Sequence, residues 1–371
     1  MVTLRSVRGM NDLFATDLLL IRKLEQQITN IFSLYGFNEI RTPILEELSL
    51  FKRGVGENSD IVEKEMFIIK DNEHEYCLRP ENTASVVRAL MQKGGIDDQF
   101  NEKIFYLGPM FRKERPQKGR LRQFHQYGIE SFGVKNPLAE VEVISMMDTL
   151  LQKLSINNVE LHINSLGEQE EKLDYQKILY NFFINFIKEL CDDCQRRIHK
   201  NTLRILDCKK DACKKIALSA PHSLSCLKED SKKHFDEVLH ELSKQNIKFV
   251  IQPNLVRGLD YYTKTVFEWI ATDNLGAQNA IAAGGRYDGL FESLGSKIPV
   301  PAVGLAGGME RLVLMCQETN LDVSTFDLAL IYADDKARSM LPSLAFSLRK
   351  SGIKTDFCLR SEEHTSELQS H

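Results

Sequence analysis

The chain has 371 residues, 43% of them hydrophobic and 27% charged, which bounds it as an ordinary globular protein with room for about two or three domains. Its 48 basic and 52 acidic side chains leave a formal charge of −4, so any nucleic-acid binding has to come from local basic patches, not from a global positive field. No secretion signal is read in Met1 to Leu13, no apolar run is long enough for a bilayer, and the eight cysteines are scattered. A cytoplasmic protein with reduced thiols is therefore expected.

Leu20, Leu24, Ile28, Ile31, Phe32 and Tyr35 recur at helical spacing, and Gly36 stands where a C-terminal cap belongs. GFNEIRTPILEE then turns strand-like, with Pro43 barring an ordinary central-strand ladder. Leu78-Arg79-Pro80-Glu81-Asn82-Thr83 leads into a predicted helix, Ala84 to Met91. Pro80 keeps Arg79 extended, and Asn82 or Thr83 is placed to cap the helix. Glu81 and Thr83 read as capping residues, and a carboxylate and a hydroxyl are also suitable acceptors for a cation with three donors.

Two strand-like runs, Ile104 to Leu107 and Tyr127 to Phe132, read as a hairpin. Its loop sets Arg112, Lys113, Arg115, Lys118, Arg120 and Arg122 against a single acid, Glu114. A charge run by itself reads as a solvated turn. These cations repel one another, however, arginine forks match phosphate oxygens, and Phe124 offers a face on which a base can stack.

Leu138 to Leu154 is a predicted helix and Val159 to Ile163 a strand. Residues 168–245 are helical in pattern, rich in lysine, and carry Cys191, Cys194, Cys208, Cys213 and Cys226. Cys191-x-x-Cys194 raises the question of zinc. Cys208 and Cys213 do not repeat the tight pair, and the first two thiols fall in a helical run, so the spacing argues against a structural zinc site. Arg196, Arg197, Lys200, Arg204, Lys209 and Lys210 fit either a nucleic-acid backbone or a solvated helical surface.

The strand pattern returns at Phe249 to Gln252 and Val266 to Ile270, with LVRGLDYYT, Leu255 to Thr263, between them. AAGGRYD follows, Ala282 to Asp288, then Ala302 to Gly308 running into a helix from Met309 with Arg311 in its first turn. Leu328 to Tyr332, Asp335 to Ser351 and Lys354 to Cys358 read as strand, helix and strand.

Arg112-x-Glu114, a loop, then Arg120-x-x-x-Phe124 resembles motif 2 of class II aminoacyl-tRNA synthetases. The first helix with its Pro-broken strand resembles motif 1, and GLAGGMERLVL resembles motif 3 with a mild departure at Ala306-Gly307-Gly308. RPQKGR, FHQYGIE, LVRGLDYYT and AAGGRYD resemble the histidyl-tRNA synthetase family in particular, and the likeness spans residues 1–359.

That resemblance implies an α+β fold: an antiparallel sheet with flanking helices, formed by 1–167 and 246–322, a helical insertion at 168–245 that clamps the tRNA acceptor stem, and the start of an α/β anticodon-binding domain at 326–359. It implies a homodimer that uses ATP with Mg²⁺, L-histidine and tRNA(His), forms histidyl-adenylate, and transfers the amino acid to tRNA. Arg112 and Arg257 would be the catalytic cations. ATP would meet Arg112, Glu114, Arg120, Phe124 and Arg311. Histidine would meet Glu81, Asn82, Thr83, Arg112, Gln126, Glu130, Arg257, Tyr261 and Tyr262, with Glu130 and Tyr262 on the imidazole. Arg115 and Gln117 would meet the tRNA acceptor end.

The rival reading is the catalytically silent relative that regulates ATP phosphoribosyltransferase; the intact basic loop and Arg257 argue against it. A simple nucleic-acid-binding module would not need the Glu81, Glu130 and Tyr262 set. Finally, RSEEHTSELQS, Arg360 to Ser370, back-translates to a widely used sequencing-library adapter. Residues 360–371 are therefore expected to be adapter read-through, and the domain begun at 326 to be cut short.

Overall fold

The helical spacing of the N-terminal region forms α1, Ala15–Leu34, which buries Leu24, Ile28, Ile31 and Phe32. Gly36 closes it at φ +79°, a conformation glycine adopts without a side-chain clash. Pro43 divides the strand-like stretch that follows: β1, Asn38–Glu39, and β2, Leu45–Glu47, enter different sheets. After α2, Leu48–Val55, and a π-helical turn at Ile61–Glu65, strands β3, Phe67–Lys70, and β4, Glu75–Leu78, complete a small antiparallel sheet in the order β2-β4-β3. The computed structural model describes residues 4–56, 59–117, 119–273, 279–316, 327–332 and 334–357; Lys118 of the basic loop and the adapter-like tail lie outside them.

Helix α3, Thr83–Lys93, precedes the predicted hairpin, β5, Glu102–Phe111, and β6, Gln123–Phe132. Then come α4, Leu138–Lys153, and β7, Val159–Ser165. The helical block comprises α5, Gln169–Phe183, α6, Asp192–Lys200, α7, Asp211–Leu218, and α8, Glu229–Lys244, with a 3-10 turn at Thr202–Ile205. The chain returns through β8, Val250–Ile251, β9, Thr263–Ala271, β10, Ala280–Arg286, the short α9, Leu290–Ser293, β11, Ala302–Gly308, and α10, Met309–Cys316.

The large sheet runs β1-β5-β6-β11-β10-β9-β7-β8. Its interior pairs are antiparallel; the edge pairs β1–β5 and β7–β8 are parallel. Side chains alternate between its faces. On one face Tyr127 and Ile129 are fully buried beside α4, with the Tyr127 hydroxyl 3.9 Å from Met147 Sδ. Phe32 adds edge-on contact to Phe105 at 5.7 Å between centroids. Residues from the helical block, including Leu179, Phe183, Ile198 and Ile205, share one apolar cluster with Tyr106, Tyr262 and Leu290, so the insertion is fused to the sheet's other side.

Arg286 does not serve a ligand. It is wholly buried, donates from Nε to Glu140 Oε1 at 2.7 Å and from Nη2 to Oε2, and reaches the carbonyl of Val134 at 2.9 Å. His234 of α8 sits 2.6 Å from the same carboxylate. Removing one member of such a pair strands a charge in a dry interior. Glu140→Ala should therefore lower unfolding stability by about 3–5 kcal/mol in urea titrations. A loss under about 1 kcal/mol would show that water reaches the site.

The described residues 4–12 and 24–316 belong to one compact unit; 13–23 and those from 327 onward belong to another. The second contains β12, Leu328–Leu330, α11, Asp335–Lys350, and β13, Thr355–Phe357. Its strands pair in parallel, the βαβ arrangement the pattern predicts, with Asp334 capping α11 by accepting from Ala337 N–H at 2.7 Å.

Candidate active site

On the face of the large sheet opposite α4, several central positions are glycine, and neighbouring side chains lie flat across them. Cross-strand register puts Gly108 beside Gln126, Gly128 beside Tyr106 and Ala306, and Gly304 beside Glu130 and Gly285. A Cβ at Gly304 would overlap the Glu130 carboxylate, and one at Gly128 would overlap the Tyr106 ring. The result is a shallow trough. Phe124, Gln126 and Glu130 of β6 point to this same side by their period-two spacing. From Phe124 to Glu130 is about 20 Å at strand rise, the span of a nucleotide plus a small amino acid.

One end is cationic. A pocket between the hairpin and α10 is lined by Arg112, Glu114, Arg120, Phe124, Glu310 and Arg311. The Arg112 guanidinium lies over the Phe124 ring at 5.1 Å and donates to the Pro80 carbonyl at 2.9 Å. Arg120 pairs with Glu114 and, at 3.3 Å, with Glu65. Arg311 donates to the carbonyl of Ala280 and, at 3.4 Å, to that of Gly119, which pins the loop to α10. His125 binds Glu310 through its own N–H at 2.8 Å and through Nδ1 at 3.1 Å, fixing α10 on β6. Burial lowers the pKa of Arg112, Arg120 and Arg311; for the last two, the neighbouring Arg112 adds repulsion. A bound polyanion would relieve both costs.

The other end is acidic and aromatic. Thr83 Oγ1 donates to Glu130 Oε1 at 2.6 Å, and the Tyr287 hydroxyl donates to Oε2. Tyr262 and Tyr261 pack with Tyr287, at 6.3 and 5.3 Å between ring centroids. Glu81 caps α3: its carboxylate accepts from the N–H groups of Thr83, at 2.8 Å, and Ala84, at 3.0 Å. The sequence pattern assigns that cap to Asn82 or Thr83. Asn82 occupies the N-cap position, but its Oδ1 instead accepts from Thr42 at 2.6 Å and from Arg79 at 3.3 Å. Arg257 faces Glu268 at 3.0 Å, and Glu268 shares the trough face with Ala283. The Arg257 Nε, the Gln126 Oε1 and the Tyr106 hydroxyl are buried without a hydrogen-bond partner, which suits a site built for a polar ligand. Arg115 and Gln117 are exposed on the loop, where Gln117 and Arg120 close a tight bridge through their backbones.

Three contributors escape sequence reasoning. Tyr106 sits in a run that reads as plain core strand. Tyr287 follows the buried Arg286. Lys172 of α5 donates its ammonium to the carbonyls of Asp260, at 2.5 Å, and Tyr262, at 2.8 Å, and burial pushes its pKa down to about 8. It holds the Arg257–Tyr262 loop from beneath.

Burial raises the Glu130 carboxyl to about 8, with Thr83 and Tyr287 working against the rise and Glu81 adding to it. An acid whose folded pKa lies above its unfolded value binds more protons when folded, so its contribution to stability is present at low pH and lost as pH rises. Stability should decline between about pH 4.5 and 8, at a slope of up to about 1.4 kcal/mol per pH unit. Comparing urea unfolding of the parent and Glu130→Gln across that range isolates the effect. Equal pH slopes would contradict it.

An antiparallel sheet with a basic hairpin and a further arginine at a helix start is the catalytic architecture of a class II aminoacyl-tRNA synthetase. Comparison with known proteins narrows this. The family model described as histidyl-tRNA synthetase matches residues 9–312. A histidine–tRNA ligase of Thermodesulfovibrio yellowstonii is 48% identical over 316 residues, 85% of this chain and 75% of that protein. One of Thermotoga petrophila is 42% identical over 369 residues, 98% of this chain and 87% of that one. The crystal structure of apo S. aureus histidyl-tRNA synthetase, 32% identical, superposes with a TM-score of 0.78 over 99% of this chain and 88% of that chain. The chain belongs to the histidyl-tRNA synthetase family. A structure titled as an ATP phosphoribosyltransferase regulatory subunit/histidyl-tRNA synthetase from Bacillus halodurans shares the fold at 21% identity and a TM-score of 0.70, covering 100% of this chain and 97% of that chain. Among the described residues no helix is long and apolar enough to cross a membrane.

Proposed function

We propose that the chain activates L-histidine with ATP to histidyl-adenylate and transfers the histidyl group to tRNA(His), acting as a homodimer in the cytoplasm. The observation that carries this reading is the trough itself, cationic at one end and lined by Glu130 and three tyrosines at the other. The adenine would lie on Phe124 with its amino group toward Glu114. Arg112 would face the α-phosphate, with Arg120 and Arg311 toward the outer phosphates. At the opposite end Glu130 and Tyr262 would receive the imidazole, while Glu81, Thr83, Gln126 and Tyr261 surround the amino-acid backbone; Asn82 supports them through Thr42 and Arg79.

The reaction needs no nucleophilic side chain: the substrate carboxylate attacks the α-phosphorus in line and pyrophosphate leaves. What the protein supplies is alignment and positive charge, from Arg112 on the phosphate side and Arg257 where the two substrates meet. Of the acids here, Glu114 and Glu268 each stand against an arginine and Glu310 against His125, which fits magnesium carried in on ATP and not a cage of protein ligands. When bound, that ion neutralises charge on the departing pyrophosphate. Arg115 and Gln117, exposed beside this site, would meet the tRNA acceptor end.

Histidine-dependent exchange of labelled pyrophosphate into ATP tests the first half-reaction. Exchange that histidine stimulates, and that other amino acids do not, is the expected result. Binding of histidine without any exchange would favour the sensing role of the regulatory relative.

A further inference from the structure

Cys191 is the N-cap residue of α6, and Cys194 lies in that helix's first turn. Cys208 follows the Thr202–Ile205 turn, and Cys213 lies in the first turn of α7. The chain thus delivers two thiols from each of two knuckles to one point. All four sulfur atoms fall within 4.8 Å of one another, and three of the four residues are buried. Spacing alone does not announce this convergence: Cys191 stands at the helix N-cap, not inside the helix, and the fold brings Cys208 and Cys213 to it.

The separations are diagnostic. Cys191 Sγ and Cys208 Sγ are 3.8 Å apart, far beyond the 2.05 Å or so of a disulfide. A metal bonded to four thiolates at about 2.3 Å in tetrahedral geometry has sulfur–sulfur edges of about 3.8 Å. Separations this short suit one ion, not a multinuclear cluster. The Cys191 N–H points at Cys213 Sγ at 3.3 Å, the kind of donor a coordinated thiolate accepts. The Arg197 guanidinium lies near Cys194 and Cys208, a cation beside what would be a dianionic centre. Among the described residues this is the one His/Cys/Asp/Glu group arranged to hold an ion.

We propose that Cys191, Cys194, Cys208 and Cys213 bind one structural zinc ion. Binding replaces four S–H protons, released to solvent, with four Zn–S bonds, and no electrons move. With all four positions filled by protein the ion has no open site for catalysis. Its effect is mechanical. The segment it ties together carries Arg197 and Arg204, both on Asp60 Oδ2 at 2.8 and 3.0 Å, and Asn201, which donates to Asp260 Oδ1 at 2.6 Å. Asp260 lies in the loop that presents Arg257, Tyr261 and Tyr262. Zinc thus anchors the insertion's grip on the back of that loop.

The test uses the full chain purified without chelators. Elemental analysis should find about one zinc per chain, and cobalt(II) exchanged for zinc should give the intense visible bands of a tetrahedral tetrathiolate. Cys208→Ser should lose at least about nine-tenths of the zinc, whereas Cys226→Ser, outside the cluster, should keep it. If Cys208→Ser does not fold, the cobalt spectrum of the parent decides. Zinc below about a tenth of an equivalent with no cobalt bands, iron in place of zinc, or full zinc in a folded Cys208→Ser would each overturn the proposal.

Discussion

Arg257→Ala should slow histidine-dependent pyrophosphate exchange by about 10²–10³-fold, the loss expected when one preorganised charge facing a developing anion is removed. The Arg257 side chain is partly buried against Glu268; burial opposes its charge most, but Glu268, Tyr262 and Asp207 together outweigh it and raise its pKa. A guanidinium so placed stays ionised at any working pH. Truncation would also leave Glu268 without its cation, so a lost rate could reflect a stranded carboxylate. The double variant Arg257→Ala/Glu268→Gln separates the two effects. If Arg257 acts on the substrates, exchange stays low in the double variant while histidine affinity, by calorimetry, survives in part. Normal exchange in the single variant would sink the catalytic assignment. Recovery in the double variant would reduce Arg257 to a structural partner.

How far the sequence announces this site depends on what kind of signal each part emits. The hairpin loop is legible because clustered like charge is costly and has few purposes, and the arginines do converge with Phe124 on one pocket. The sheet is legible because apolar, aromatic runs mark its strands, although burial comes near alternation only along β9, while β6 is buried without a break from Gln126 to Phe132. Tyr106 is not, because a tyrosine in an apolar strand looks like core until register sets it opposite a glycine. Arg286 misleads in the other direction. It ends a glycine-rich stretch whose text resembles a family signature, yet its place in the pleat turns it away from the site, onto Glu140. The cysteine cluster is not legible, because sequence spacing says nothing of the turn at Thr202–Ile205, which folds the second pair back on the first.

Gly304→Ala should weaken histidine binding by about 10–100-fold, or about 1.4–2.8 kcal/mol, and leave ATP binding nearly unchanged. Glu130 and Gly304 are register partners on adjacent strands, and the carboxylate lies across the glycine into the space a Cβ would fill. The Ile129 carbonyl also crowds that position, so the backbone cannot simply yield. The methyl must therefore displace Glu130, breaking its bonds from Thr83 and Tyr287 and disordering the end of the trough assigned to the imidazole. The phosphate end rests on the β5–β6 loop and α10, several residues away along the strands, and has no contact to lose. Calorimetry with histidine and, separately, with ATP reads the two ends independently. Equal loss for both ligands would indicate a sheet distorted throughout. Unchanged histidine affinity would remove Glu130 from the imidazole pocket, and with it the physical basis proposed for selecting histidine.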